Sequence, residues 1–240
     1  LKKMISGTHR TYLTGPASMA QRRNPFIRLK GRRTYSTRES YVGEMSKLAD
    51  DGDVHVLQLK EDTMYQVIKR QAEVLATSGN INGLQQILAR FPCHLDALYY
   101  MFNLLLLAGE NSEARLCIEH AMYCIGEIRR DFSFSWTDVF TVRRIPFDRP
   151  SNRIIHLTIS AYAHALLRQD CTITAFEVLK ILFNLDSSDP THTLFNIEYC
   201  GLKNACFSKL SELLDALPSE YQTLPNVLYT KALCTFYADT

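Results

Sequence analysis

Cysteine and histidine side chains on one predicted helix could begin a metal site. Cys117, His120 and Cys124 are spaced three and four residues apart, so they lie on one helical face. Thiolate and imidazole are donors that Zn²⁺ prefers, but Cys93 and His94 would have to complete the site from the preceding unit. Free cysteine is among the most buried residue types. We therefore expect these side chains to pack the core, and we predict no metal and no other cofactor.

Catalytic chemistry has little support elsewhere in the chain. The phosphate-binding patterns GxxxxGK[ST] and GxGxxG are absent, and so are HExxH and GxSxG. His156 and His164 are eight residues apart and share a helical face, which favours helix packing. As a nucleophile, Cys93 or Cys171 has no partner histidine that the sequence assigns. We predict a protein that is not an enzyme.

The elements that carry these residues show helical periodicity from about residue 60 onward. One spacing pattern recurs. An apolar or small residue lies five positions after a turn, a second apolar or small residue lies four positions after the first, and a third lies three positions after the second. The copies are Gly79, Leu84, Leu88, Phe91; Gly109, Ala114, Ile118, Ala121; Asp170, Ala175, Leu179, Leu182; and Leu210, Leu214, Leu217. A tight turn followed by a close helix contact is typical of tetratricopeptide repeats.

The spacing of the copies indicates a repeat with one interruption. Leu84 and Ala114 are 30 residues apart, and Ala175 and Leu210 are 35 apart, near the regular spacing of about 34. Ala114 and Ala175 are 61 apart, which leaves roughly 27 extra residues. We predict an all-α fold, a tetratricopeptide-like helical-repeat solenoid over residues 51–240, with a central insertion at about 126–152. An irregular helical bundle would use the same apolar stripes and is the alternative.

Charge separates the first forty residues from the rest. They contain ten Lys or Arg residues and one acid, Glu39, which gives +9; the remaining residues carry −7, since the whole chain carries +2. We predict a basic, poorly regular N-terminal arm over residues 1–50, partly extended or disordered. A basic arm on an acidic body favours an anionic partner such as nucleic acid, although a solvated leader would have the same composition.

Composition narrows the class of protein further. Seven cysteines without framework spacing indicate free thiols in a reducing compartment. No apolar run approaches the roughly 18 residues that a membrane-spanning helix needs, so we predict no membrane partner. Because the chain begins with Leu1 and not Met, we expect a fragment or a processed product.

The insertion combines aromatic and arginine side chains. It contains the single tryptophan, Trp136, and the basic pairs Arg129-Arg130 and Arg143-Arg144. Such side chains stack on bases or anchor an interface, but they also pack an insertion against its scaffold. At its end, Pro150 is placed to start the next helix, because proline is tolerated at the first helical position.

Several ordered motifs carry a family resemblance. They are Pro92-x-His94-x-Asp96 within residues 91–127, the signature Arg149-Pro150-x-Asn152-Arg153, LDSSDP at 185–190, and LPNVLYTKAL at 224–233. In these motifs the chain resembles the transcription factor 25 family, which is also the ribosome quality control complex subunit 1 family, over about residues 25–240. It departs from the family pattern at 130–132, where Arg-Asp-Phe replaces the usual His-Pro pair and Phe.

The resemblance implies a non-enzymatic scaffold of the ribosome quality control complex. Such proteins join large ribosomal subunits that carry stalled nascent chains, and they assist a listerin-type E3 ubiquitin ligase in polyubiquitination for degradation. The implied partners are the large subunit, the ligase and ubiquitin. We expect a monomer within a complex, in the cytoplasm, with a nuclear pool left open. The alternatives are a generic tetratricopeptide-like interaction adaptor and a transcriptional repressor. A peptide-binding groove usually presents Asn, Lys or Arg from the first helix of each pair, and here that helix offers only Asn103.

Two sets of residues are the predicted sites. For partner contact they are Arg22, Arg23, Arg28, Lys30, Arg32, Arg33, Arg143, Arg144, Arg149 and Arg153. For structure they are Pro92, His94, Asp96, Pro150 and Asn152. The arm would contact ribosomal RNA through its phosphates, with an affinity that depends on ionic strength.

Overall fold

A computed structural model describes residues 44–51, 54–126, 128–130 and 143–238, and most of these residues are helical. The elements are β1 (Glu44–Asp51), β2 (Val54–Lys60), α1 (Thr63–Thr77), α2 (Ile81–Arg90), α3 (Leu95–Leu107), α4 (Asn111–Gly126), β3 (Arg129–Arg130), β4 (Arg143–Arg144), α5 (Arg153–Arg168), α6 (Thr172–Leu185), α7 (Thr193–Lys203), α8 (Phe207–Asp215), α9 (Ser219–Gln222) and α10 (Pro225–Ala238). The all-α prediction is confirmed in its broad form. The tetratricopeptide-like solenoid and the domain boundaries stay predictions.

Four of the turns between helices have one backbone geometry. Gly79, Gly109, Asp170 and Ala205 lie in the turns α1–α2, α3–α4, α5–α6 and α7–α8, with φ angles of 67°, 80°, 60° and 51°. In each turn the next amide donates to a carbonyl five residues earlier, at 2.9–3.0 Å. This is the hydrogen bond that closes a helix around a left-handed residue. The side chains five positions after each turn, Leu84, Ala114, Ala175 and Leu210, are fully buried.

Successive helices bury one continuous apolar core. Helix α3 lies at its centre, since it packs against α1, α2, α4 and α5. Further along the chain, α7 packs on α6 and α8, and α10 packs on α8 and α7. None of the helices in the described ranges is both long and apolar enough to cross a bilayer.

A four-stranded sheet, in the order β3-β1-β2-β4, is the part of the fold that the sequence analysis did not predict. Strands β1 and β2 are antiparallel, whereas the two-residue strands β3 and β4 pair in parallel with β1 and β2. Leu57 and Leu59 alternate on β2 and are buried. Strands β3 and β4 both lie within the predicted insertion at about 126–152, so two points of that insertion pair with the β1–β2 hairpin. Strands β3 and β4 have two residues each and therefore no periodicity to read. The alternation in β2 was an available signal, but it lies before the helical pattern that begins at about residue 60.

The start of α5 differs from the prediction. The helix begins at Arg153, three residues after Pro150, so the prediction that Pro150 opens the helix is wrong. Residues 149–152 form a turn, in which the Asn152 amide donates to the Arg149 carbonyl at 2.9 Å. Asn152 occupies the N-cap position of α5, but its side chain bonds to the backbone of β2 and makes no capping hydrogen bond.

Candidate partner-binding surface

Asn152 joins the turn before α5 to the edge of β2. Its Oδ1 accepts from the Leu59 amide at 2.8 Å, and its Nδ2 donates to the carbonyls of Leu57 at 3.0 Å and Pro146 at 2.9 Å. Strand β4 pairs only with His55 and Val56. The fully buried Asn152 side chain therefore satisfies the next polar groups along β2 as a further strand would.

The segment between β4 and this turn is fixed to two helices. The Ile145 amide donates to the Leu185 carbonyl, and the Ile145 carbonyl accepts from His156 Nε2 at 2.6 Å. The Phe147 amide donates to Asp186 Oδ2 at 2.9 Å. Asp186 of the LDSSDP motif is therefore the hydrogen-bond acceptor for this backbone amide. His156 is fully buried; burial lowers its pKa, against the opposing effect of its hydrogen bond and of the Asp186 charge.

The Pro-x-His-x-Asp motif positions α1 against α3. His94 accepts from the Ala97 amide through Nδ1 at 3.2 Å and so caps α3, while its Nε2 donates to the Tyr65 carbonyl at 3.1 Å. Its ring stacks on Tyr65 with centroids 4.0 Å apart. Asp96 accepts from the Tyr65 hydroxyl at 2.8 Å and lies 3.4 Å from Lys69 Nζ. Burial raises the pKa of Tyr65 well above its usual value, and both His94 and Asp96 are buried.

The predicted basic residues are distributed between surface and interior. Arg149 and Arg153 are exposed beside Phe147: the Arg153 Nε donates to the Phe147 carbonyl at 3.3 Å, and its guanidinium lies 5.6 Å from the ring centroid. Arg149 Nε is 3.8 Å from a carboxylate oxygen of Asp148. Arg144 is partly buried in β4. Arg143 lies in β4 by its backbone. Trp136 and the arm residues Arg22, Arg23, Arg28, Lys30, Arg32 and Arg33 lie outside the described residues.

A groove between α1 and α2 was missed by the sequence analysis. It encloses about 750 Å³, and its lining includes Arg70, Arg90, Asn82 and Gln86 beside the exposed ring of Phe91. Among the described residues that line it, no side chain is acidic. The available signal was the pair of exposed arginines, one on each helix of the first pair. This groove could accept an acidic, extended peptide segment.

Aromatic side chains are exposed on two adjacent helices near the end of the chain. Phe195 and Tyr199 on α7 are 57% and 51% exposed, and Tyr229 and Phe236 on α10 are 75% and 64% exposed. The helices are joined by Glu198, which is buried and accepts from residues of α10. An exposed apolar surface of this kind is typical of a protein interface.

Three of the five residues considered as metal ligands in the sequence come together in the structure. Cys93, His120 and Cys124 place their ligand atoms within 4.8 Å of one another. Cys117 instead donates to the Leu98 carbonyl at 3.2 Å, and burial raises its pKa to about 12. His94 is engaged in capping α3.

Comparison with known proteins identifies the family. The family model described as "Transcriptional repressor TCF25" matches residues 57–240. The chain belongs to this family. The resemblance inferred from the motifs is thereby confirmed, and the match begins within β2, so it covers the sheet edge as well as the helices.

The relatives that the chain matches carry two kinds of name. The chain is 26% identical over 182 residues to ribosome quality control complex subunit 1 of Schizosaccharomyces pombe, covering 75% of this chain and 27% of the relative. It is 22% identical over 193 residues to ribosome quality control complex subunit TCF25 of Dictyostelium discoideum, covering 78% and 26%. It is 28% identical over 147 residues to the probable transcription factor claV of Ampulloclitocybe clavipes, covering 61% and 18%.

The chain spans about a quarter or less of the length of these relatives. No solved structure matches it significantly.

Proposed function

We propose that this chain is a non-enzymatic scaffold segment of ribosome quality control, acting on large ribosomal subunits that carry stalled nascent chains. The observation that carries the proposal is membership of a family whose relatives are named as subunits of the ribosome quality control complex. The place of action would be the cytoplasm. There the scaffold would assist a listerin-type E3 ligase in polyubiquitinating the nascent chain.

The positions of the motif residues support a scaffold. His94, Asp96 and Asn152 use their polar atoms inside the fold, where they fix α1 to α3 and the sheet to α5. Residues employed in this way stabilise the fold, as expected of a scaffold. Four turns with the same left-handed residue and closing hydrogen bond, between helices that pack on their neighbours, support the tetratricopeptide-like stacking that we propose as the frame for this surface.

Contact with the ribosome is assigned to two basic groups. The arm residues 22–33 would neutralise ribosomal RNA phosphates, and Arg149 with Arg153 offers two exposed guanidinium groups beside Phe147. Arginine is well suited to both phosphate and carboxylate partners. The acceptor on the ribosome or on the ligase would therefore be an anionic surface.

Sucrose-gradient sedimentation from cell extract tests the proposal. The tagged chain is expected to migrate with free large subunits, and migration only in light fractions would count against it. The same gradients are run with two charge-reversal variants. One changes six arm residues to Glu (Arg22, Arg23, Arg28, Lys30, Arg32, Arg33), and the other changes Arg149 and Arg153 to Glu. The matched control reverses Arg115 and Arg168, which are exposed arginines of α4 and α5. If the arm variant sediments like the unmodified chain, the arm is not the anchor.

A peptide-binding adaptor is the second candidate, because the α1–α2 groove supports it. The description of the family names a transcriptional repressor, and the claV relative is named a probable transcription factor; both connect this alternative with transcription. Under this hypothesis the chain binds an acidic peptide, and Arg70→Glu with Arg90→Glu abolishes binding. Fluorescence anisotropy with a labelled acidic peptide measures this binding. The ribosomal-scaffold proposal instead predicts that the same variant still sediments with large subunits.

A further inference from the structure

Three metal-binding atoms converge between the loop before α3 and the helix α4. The ligand atoms of Cys93, His120 and Cys124 all lie within 4.8 Å of one another, and His120 Nε2 is 3.7 Å from Cys124 Sγ. In a tetrahedral zinc site, Zn–S distances near 2.3 Å and Zn–N distances near 2.0 Å place ligand atoms about 3.5–3.8 Å apart. Small rotations of the side chains would therefore bring these three atoms to the edges of a zinc tetrahedron.

The fold holds the three residues together without an ion. His120 and Cys124 are four residues apart on α4, so they share a helical face. Cys93 reaches that face because the next residue, His94, caps α3, and α3 packs along α4. Cys93 and Cys124 are buried, and His120 is partly exposed. The arrangement is thus a preorganised pair of thiols with one imidazole at its open side.

We propose that Cys93, His120 and Cys124 bind one Zn²⁺, and that an oxygen ligand completes the tetrahedron. The Pro92 carbonyl oxygen, 2.9 Å from His120 Nε2, or a water molecule supplies that oxygen. On binding, both thiols lose their protons to solvent, and the imidazole proton moves to Nδ1 so that the Nε2 lone pair coordinates the metal. Two thiolates and a neutral imidazole balance the charge of the ion, so no net charge is buried beside the core.

A bound ion would fix the loop at Cys93 to α4. The ion binds the folded chain, in which the three ligands are close together, in preference to the unfolded chain. It therefore raises the stability of the fold by an amount that depends on the concentration of the ion and on its affinity. A packing role alone predicts neither metal affinity nor metal-dependent stability, so the two interpretations differ in a measurable way.

Cobalt substitution in the purified chain tests the site. Titration with Co²⁺ under reducing conditions is expected to give the visible bands of tetrahedral cobalt and the near-ultraviolet thiolate charge-transfer band. Both should saturate at one equivalent and disappear on addition of one equivalent of Zn²⁺. Zinc should also raise the thermal midpoint of unfolding, and a chelator should reverse the rise. If the chain gives neither tetrahedral bands nor a zinc-dependent midpoint, the proposal is overturned.

Single variants identify the ligands. Cys93→Ser, Cys124→Ser and His120→Gln should each weaken metal binding by more than about a hundredfold, because each removes a ligand and not a group that merely supports one. Cys117→Ser is the matched control, since this thiol lies on the same helix but donates to the Leu98 carbonyl, and it should leave the cobalt spectrum unchanged. Circular dichroism confirms that each variant is folded. An unchanged spectrum in folded Cys93→Ser or Cys124→Ser, or a lost one in folded Cys117→Ser, contradicts the ligand set.

Discussion

Asn152 shows how a single side chain replaces a missing piece of sheet. It pairs with the amide of Leu59 and the carbonyl of Leu57, beyond the point at which β4 has ended. The side-chain Nδ2 of Asn152 also donates to the Pro146 carbonyl. Leu57 and Leu59 lie more than ninety residues before Asn152 in the sequence, whereas Pro146 precedes it by six. The Arg-Pro-x-Asn-Arg signature therefore contains a residue that joins three parts of the fold.

Removal of this side chain should destabilise the protein strongly. Asn152→Ala removes the side-chain partner of the buried Leu59 amide and Leu57 carbonyl and of the partly buried Pro146 carbonyl. We therefore expect a loss of about 2–4 kcal/mol in the free energy of unfolding. Chemical denaturation measures it, with the exposed Asn82→Ala as a control that should change stability by less than about 0.5 kcal/mol. Equal denaturation midpoints for the two variants would show that Asn152 does not have this role.

His156 makes stability depend on pH at the same junction. Burial lowers its pKa, and Asp186 is the charged group near enough to oppose the effect. Below the usual histidine pKa of about 6.5, the unfolded chain takes up a proton that the folded chain refuses. Stability is therefore complete above that pH and falls as the pH decreases toward the lower folded-state pKa.

A glutamine at this position should remove that dependence. His156→Gln retains a donor for the Ile145 carbonyl, which accepts from Nε2 in the native protein, but it has no titrating group. Denaturation midpoints measured from about pH 7.5 to about pH 5.5 should fall less steeply in the variant than in the native chain. Parallel pH profiles for the two proteins would exclude His156 as the cause.

At the scale of elements, the turns between paired helices are the repeated feature. Two of the four left-handed positions are glycine and two are Asp170 and Ala205. Left-handed backbone is strained for residues with a Cβ, so the later two turns retain strain that Gly79 and Gly109 avoid. The Asp170 carboxylate additionally pairs with Lys203 at the surface.

Ala205→Gly should stabilise the protein. We expect a gain of about 0.5–1 kcal/mol, because relief of the strained backbone exceeds the added freedom of the unfolded chain. The same substitution at Ala232, an exposed residue inside α10, should cost about 0.5–1 kcal/mol. Thermal unfolding of the two variants should therefore shift in opposite directions, and a shift in the same direction would contradict the account.

The sequence predicts the elements to the extent that their signals are local. Gly109, Ala114 and Ile118 reveal a helix turn by their spacing, and the turn lies where they place it. His120 and Cys124 share a helical face by the same reasoning, but Cys93 joins them through the packing of α3 on α4, which spacing does not encode. Strands β3 and β4 have two residues each, and they form only because β1 and β2 offer free edges.

For the whole molecule, the family motifs contribute both buried residues, which hold the fold together, and exposed residues, which are candidate contacts. Asn152, His94 and Asp96 are buried, whereas Arg149, Arg153 and the arginines of the α1–α2 groove are exposed. The buried motif residues therefore account for the stability of the fold, and the exposed residues are the candidates for partner contact. The exposed aromatic side chains of α7 and α10 form one more such surface.

Binding to blocked ribosomal subunits is the direct measurement of the proposed role in ribosome quality control. Purified chain is mixed with purified large subunits that carry a stalled nascent chain and, in parallel, with the same subunits after release of that chain, and the pellets are quantified. We predict saturable pelleting with the blocked subunits and weaker pelleting with the released ones. A folded chain that stays in the supernatant with both would contradict the proposed function.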